Sequence, residues 1–176
     1  MRVAVVSFVV LINYILQSTL FSYIEILSIR PNTALAVVVC YAILRGDVEG
    51  AILGFFTGLL QDIFFGRYIG FYALTYALLG FCCGKPFKDF FPEHYFMPMI
   101  LTLGAAFANS ITFYIFNFLL RAKLDFGYYF FKVILLEAVY TALISAVIYK
   151  LIHVINSKLE KREKAKRPLF DKDSGE

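Results

Sequence analysis

Six apolar runs follow one another along the chain, separated by short polar intervals or by turns that contain glycine or proline. They cover residues 3–21, 33–44, 50–65, 69–84, 95–120 and 127–152. A helix that crosses a bilayer needs about 20 apolar residues, so we expect the first, fifth and sixth runs to span. The three shorter runs predict a compact, partly re-entrant middle. For the run at 33–44 two alternatives stay open: it crosses with help from its flanks, or it enters partway and turns.

Polar residues at the edges of these runs predict local structure. Pro31 and Asn32 precede the second run. Proline does not continue a helix and an asparagine side chain accepts hydrogen bonds from a helix N-terminus, so Pro31 is expected in a turn and Asn32 as a cap. In the first run Asn13, Gln17 and Ser18 recur at a step of four or five, and we expect them to face the bundle.

The most regular feature is a row of small residues at a step of four, here called the glycine row. It consists of Gly46, Gly50, Gly54 and Gly58, continued by Asp62, Gly66 and Gly70. A step of four keeps these positions on one slowly drifting helix face. In water such a helix loses about 1 kcal/mol per glycine against alanine, so in this apolar setting the row indicates close contact with another helix.

Two interpretations of the glycine row stay open. It packs within the chain, or it docks a helix of another protein. For the first interpretation, a second row of small residues in the sixth run is the expected receiving surface. It is formed by Ala138, Ala142 and Ala146.

Asp62 lies at the end of this row, inside an apolar run. A carboxylate in a membrane helix costs on the order of 3 kcal/mol, so it is expected to have a partner or a water-filled space. Either it forms an interaction or cavity site, or it caps the turn before Gly66 or pairs with Arg67. We expect the charge itself to be required, for a cationic group on a partner protein.

Other candidate chemistry is sparse. Lys132 and Glu137 are possible buried ionisable residues, but a separation of five gives poor pairing on one helix, so each is expected to contact another helix. The sequence contains no serine-hydrolase, zinc-protease or nucleotide-binding motif, and Cys40, Cys82 and Cys83 all lie in apolar runs. We therefore predict a protein that is not an enzyme and holds no metal or cofactor.

Composition sets the class. The chain is 60% hydrophobic and only 17% charged, against about 25% charged residues in soluble domains. These values predict an all-α integral membrane protein with a bundle of about six transmembrane helices over residues 1–152.

The net charge of +4 describes the C-terminal tail, residues 153–176, more than the body. Eight of the 17 lysines and arginines lie between Lys150 and Lys172. By the positive-inside rule, both termini are expected in the cytoplasm. The tail is expected to touch anionic lipid or to dock a cytoplasmic partner, and no nucleic-acid partner is expected.

One family shares this pattern. The residues that carry the likeness are Pro31-Asn32, Gly46, Gly50, Gly54-Phe55, Gly58-Leu59-Leu60, Asp62, Gly66 and Gly70. They resemble MreD, the rod shape-determining membrane protein. The resemblance implies a multi-pass protein of the bacterial inner (plasma) membrane, without catalytic activity, in the complex that elongates the cell wall. It also implies partners: an MreC-like bitopic protein, MreB-like filaments, and the wall-building glycosyltransferase and transpeptidase.

The same resemblance brings an alternative. MreD-like proteins are similar in fold to the S components of energy-coupling transporters, which bind vitamins. The alternative is thus a small-molecule-binding subunit of a transporter, and such a subunit needs a cavity lined with polar groups. The residues available to line it are Asn13, Gln17, Asn32, Asp62, Asn109 and Asn117.

Overall fold

The computed structural model describes residues 2–19, 31–65, 69–85, 96–121 and 134–166, with side chains over 6–19, 31–65, 69–85, 96–116 and 134–158. These residues form helices only, which confirms the predicted all-α class. The helices are α1 (Arg2–Thr19), α2 (Thr33–Arg45), α3 (Asp47–Phe64), α4 (Phe71–Gly84), α5 (Phe96–Arg121) and α6 (Leu135–Lys166).

Helix α2 is the centre of the bundle. Its 13 residues are apolar around the whole circumference, and every residue from 31 to 40 is buried. A helix that is apolar on all sides is stable when other helices surround it, and α2 contacts all five of the others.

The core forms around α2 as two clusters. In the first, Leu35 and Val38 pack with Tyr76 of α4 and with Ala105 and Ala138 from α5 and α6. In the second, residues Val37, Cys40 and Leu44 pack with Tyr149 and Ile152 of α6. Small residues on α5 and α6 let these long helices approach α2 closely, which is how membrane helices gain van der Waals contact.

Tight connections join α2 to α3. Gly46 alone separates the two helices and adopts φ 102°, a conformation that favours glycine. Its N–H donates to Ala42 O (2.8 Å) and its carbonyl accepts from Gly50 N (3.0 Å), so one residue ends α2 and begins α3.

Several basic residues lie at one end of the bundle. Gly84, at the end of α4, lies against Gly46 and Asp47, and a small pocket joins Val6 of α1 to Ile152 of α6. The start of α1, the α2–α3 junction, the end of α4 and the later part of α6 therefore lie together. This end carries the basic residues Arg45, Lys85 and Lys158, together with the acidic residues Asp47 and Glu49 of α3.

The described helices fall into two classes by the length of their apolar segments. Among the described residues, α5 and α6 contain segments long and apolar enough to cross a membrane, Phe96–Phe116 and Leu135–Lys158. The fifth and sixth runs therefore have the length and hydropathy that a spanning helix needs. Stretches in α1, α2 and α4 are apolar but shorter. The sixth run was predicted to begin at residue 127, and residues 127–133 lie outside the described residues. Helix α6 begins at Leu135 and continues past residue 152, the predicted domain boundary, to Lys166.

The polar residues of α1 lie in different surroundings. Gln17 accepts a hydrogen bond from the Thr33 hydroxyl (3.4 Å), which meets the expectation that it faces the bundle. Ser18 is exposed and donates to its own helix at Ile15 O (3.0 Å), so the prediction for Ser18 was wrong. The interval from residue 20 to 30 lies outside the described residues.

Candidate functional site

The glycine row packs against the backbone of α4. A β-carbon on Gly50 would lie 2.8 Å from Gly80 O. A β-carbon on Gly54 would lie 2.7 Å from the carbonyl carbon of Tyr76, and a β-carbon on Gly58 would lie 2.6 Å from Ala73 Cα. No real β-carbon approaches a backbone so closely, so these positions admit only glycine. The contacts run in opposite order along the two helices, which makes α3 and α4 an antiparallel pair in backbone contact.

Helix α4 contributes its own small residues to this contact. Gly80 lies on the backbone of Gly50, and a β-carbon on Gly84 would lie 2.5 Å from Asp47 Cα. The interpretation that the row packs within the chain therefore holds for Gly50, Gly54 and Gly58. The step of four from Gly80 to Gly84 is a sequence signal for this partner, and the prediction of a receiving surface on the sixth run overlooked it.

The receiving surface predicted on the sixth run was wrong. Ala138 packs in the core beside Leu35 and Val38 of α2, and Ala142 is also buried, whereas Ala146 is only partly buried. The physical reason is that α4 follows α3 directly and offers a backbone free of β-carbons at Gly80 and Gly84, which alanines on α6 do not.

Asp62 lies at the N-terminus of α4 with only 1% of its surface exposed. One carboxylate oxygen, Oδ2, accepts from Gly70 N (3.0 Å) and Ala73 N (2.9 Å), and the other, Oδ1, accepts from Tyr72 N (2.9 Å). Hydrogen bonds to an ionised acceptor are about twice as strong as neutral ones, and a helix N-terminus favours negative charge. Three backbone donors thus stabilise the buried charge.

The reason for this arrangement lies in α4 itself. Its N-cap residue, Gly70, has a left-handed backbone (φ 97°) and no side chain to accept a hydrogen bond, and the first turn holds no acidic residue. Asp62 supplies the missing cap from the preceding helix. Its carboxylate thus caps the helix that follows residues 66–68. Gly66 and Arg67 lie outside the described residues.

Asn32 forms a second capping site. Its side-chain Oδ1 accepts from Leu35 N (3.0 Å), as expected of an N-cap, and also from the Tyr76 hydroxyl (2.9 Å). Its backbone N–H donates to the Thr141 hydroxyl oxygen (3.0 Å), and Pro31 beside it is buried. Asn32 therefore joins α2 to α4 and α6. Sequence spacing offered no signal for Tyr76 or Thr141, because both partners are distant in the chain.

The other predicted site residues lie away from these contacts. On α3, Phe55 is exposed and Leu59 is partly buried. Glu137 lies in the first turn of α6 and accepts from the Ser110 hydroxyl of α5 (3.2 Å), so its expected contact with another helix is confirmed. Lys132 lies outside the described residues.

Three of the six polar groups suggested for a small-molecule cavity are used elsewhere, whereas Asn109 is buried and its Oδ1 has no hydrogen-bond partner in the described part of the chain. The side chains of Asn32 and Asp62 cap helices, and Gln17 accepts from Thr33. A groove of about 660 Å³ between α1 and α3 is lined by other, mainly apolar residues. In the described part of the chain, no group of histidine, cysteine, aspartate and glutamate is arranged to hold a metal ion.

The cysteines occupy two environments. Cys40 and Cys83 are buried, and Cys40 Sγ donates to Ser145 O (3.6 Å). Both pack in the core, Cys83 in the first cluster and Cys40 in the second. Cys82 is exposed on α4.

Comparison with known protein families identifies a match over most of the chain. A model of a protein family described as rod shape-determining protein MreD matches residues 1–157. No curated protein and no solved structure matches the chain. The matched region includes the glycine row, Asp62 and Asn32, and it ends within α6 just before the basic residues of the tail.

Proposed function

The chain belongs to the MreD family of rod shape-determining proteins, and from this premise we propose that it is a non-catalytic scaffold of the bacterial cell-wall elongation complex. The observation that carries the proposal is the α2–α3–α4 unit. The backbone of α4 covers the glycine row of this unit. Its buried polar side chains Asp62 and Asn32 accept hydrogen bonds as helix caps. Such a unit is suited to hold a fixed shape and to present surfaces.

Those surfaces define where partners dock. Because the glycine row is covered by α4, a partner helix meets the outer faces of the hairpin instead. These carry exposed apolar side chains, among them Phe55, Leu74 and Leu78. Exposed apolar surface of this extent fits lipid or membrane-embedded protein. We propose an MreC-like bitopic protein and the wall-building glycosyltransferase and transpeptidase as membrane partners, with MreB-like filaments on the cytoplasmic side.

The proposed topology has six crossings, with both termini in the cytoplasm of a bacterium and the chain in its inner (plasma) membrane. Two observations support it: Arg45, Lys85 and Lys158 lie at one end of the bundle, and the basic tail leaves from that end. Lysine and arginine are enriched on the cytoplasmic side of membrane proteins. The tail then lies where anionic lipid is abundant.

The test of this function combines cell shape with partner recovery. The gene is deleted from a rod-shaped host and restored with a tagged copy, which is then purified in mild detergent. We expect the deletion strain to become round, the tagged copy to restore rods, and wall-synthesis proteins to co-purify. Recovery of transporter ATPase subunits with a bound vitamin, together with normal rods in the deletion strain, contradicts the scaffold.

A further inference from the structure

A groove between α1 and α3 is unused by the functions considered so far. It has a volume of about 660 Å³, and its walls are chiefly apolar: Val10 and Leu11 of α1 face Ile52, Phe56 and Leu60 of α3. On α3 these lining positions recur at the spacing of one helix face. The two helices therefore leave an elongated apolar space beside the core.

The groove has a closed end and an open end. Beyond its last lining residues the helices touch, since the Tyr14 ring lies 4.8 Å from that of Phe64 and 5.5 Å from that of Phe65, centroid to centroid. At the other end it reaches Tyr41 and Glu49. That is the end of the bundle where the basic residues gather.

The size of the groove favours a narrow occupant. Its wall on α3 runs from Glu49 to Leu60, about 16 Å at the helical rise of 1.5 Å per residue. A helix of that length and about 10 Å in diameter occupies roughly 1,300 Å³, about twice the space present. A volume of about 660 Å³ lies within the range of pockets that hold one small ligand. One acyl chain of a membrane lipid meets both the shape and the apolar lining.

The charged groups at the open end select the headgroup. Glu49 accepts from Arg45 Nε (3.1 Å), Arg45 Nη2 (3.3 Å) and the Tyr41 hydroxyl (3.0 Å). This pair places a guanidinium and a carboxylate side by side with no net charge. A headgroup with a phosphate and an ammonium complements both charges, whereas a headgroup that carries only the phosphate charge complements the guanidinium alone.

We propose that the α1–α3 groove is a lipid site that holds one acyl chain of a zwitterionic aminophospholipid, with its headgroup at the Arg45–Glu49 pair. The occupant is a bilayer lipid rather than a protein helix. The site does not depend on the scaffold function, because every group that forms it belongs to this chain.

Photo-crosslinking tests the site. In one variant benzoylphenylalanine replaces Ile52, which lines the groove and is 54% exposed. In the matched lipid-facing control it replaces Leu78 on α4, which is 61% exposed. The purified proteins are placed in vesicles of equimolar phosphatidylethanolamine and phosphatidylglycerol and illuminated. The lipid adducts are then identified by mass spectrometry. One favourable charge contact near the surface predicts about a fivefold excess of phosphatidylethanolamine adducts at position 52. At position 78 the two lipids are expected in equal amounts.

A second variant examines the headgroup. Glu49→Gln, combined with the probe at position 52, removes the carboxylate and keeps the apolar walls. We expect lipid adducts to persist while their excess of phosphatidylethanolamine falls towards the ratio at position 78. An excess that survives Glu49→Gln overturns the assignment of the headgroup.

Two further results overturn the proposal as a whole. Equal lipid ratios at positions 52 and 78 mean that the groove holds only ordinary boundary lipid. The same probe, illuminated in native membranes, distinguishes the other occupant: adducts of protein size at position 52 mean that a partner helix fills the groove.

Discussion

At the scale of single residues, Asp62 shows how a buried charge is stabilised in an apolar bundle. Both of its oxygens accept backbone N–H groups of α4, three in all. An asparagine at this position has one acceptor oxygen and an NH₂ group, and the latter faces a donor. We therefore expect Asp62→Asn to lower the free energy of unfolding by about 2 kcal/mol. The measurement is thermal unfolding in detergent together with membrane abundance.

The control for Asp62→Asn is Asp47→Asn on the same helix. Asp47 accepts from Val48 N, its neighbour in the chain, at an exposed site, so its replacement is expected to change the melting temperature little. An Asp62→Asn protein that is abundant and melts like the unaltered protein, yet loses its partners, contradicts the capping role. That result would restore the expectation that a partner requires the charge.

A second prediction at this scale compares two buried threonines. The Thr57 side chain is 4% exposed, and its hydroxyl oxygen has no hydrogen-bond partner in the described part of the chain. The Thr141 side chain is 0% exposed, and its hydroxyl oxygen accepts from Asn32 N. Valine has nearly the same shape as threonine without the hydroxyl. We expect Thr57→Val to be neutral or slightly stabilising, and Thr141→Val to cost about 1–2 kcal/mol because it leaves a buried N–H unpaired. Equal melting temperatures of the two variants would refute this.

At the scale of helices, the contact of α3 with α4 depends on absent β-carbons. We expect Gly54→Ala to destabilise the protein by about 2 kcal/mol, because the new methyl group meets the Tyr76 backbone and the helices have to separate. Gly104 of α5 is the matched control, since a β-carbon there meets nothing within 4 Å. Gly104→Ala is expected to be neutral or to stabilise by up to about 1 kcal/mol through helix propensity. Melting temperatures in detergent decide between these outcomes.

The helices themselves were largely predictable from sequence, and their partners were not. The run at 95–120 corresponds to α5 within one residue, and the second run begins at the same residue as α2. These boundaries follow from apolar patterns and caps, which are local. The partner of the glycine row was missed because small residues recur on both α4 and α6. The role of Asp62 was missed because its partners are backbone N–H groups, which no sequence pattern displays.

At the scale of the whole molecule, orientation is the property most open to test. Because Arg45, Lys85 and Lys158 lie at one end of the bundle, we expect a reporter fused after Glu176 and one inserted between Lys85 and Lys88 to read as cytoplasmic. Phosphatase and fluorescent-protein fusions at both places provide the measurement. A reporter between α4 and α5 that reads as external, with a cytoplasmic tail, would show that the number of crossings between them is odd.

The enclosure of α2 has a consequence for synthesis. Helix α2 leaves the ribosome early, yet α5 and α6, which cover much of it, are made last. Until then the Asn32 N–H has no Thr141 hydroxyl to meet, although Thr33 already has its partner Gln17 on α1. The bundle is therefore completed from its C-terminal end, around a helix that is already in place. A chain that stops after residue 121 is expected to be degraded in the membrane, whereas one that stops after residue 158 persists, and pulse-chase labelling distinguishes their lifetimes.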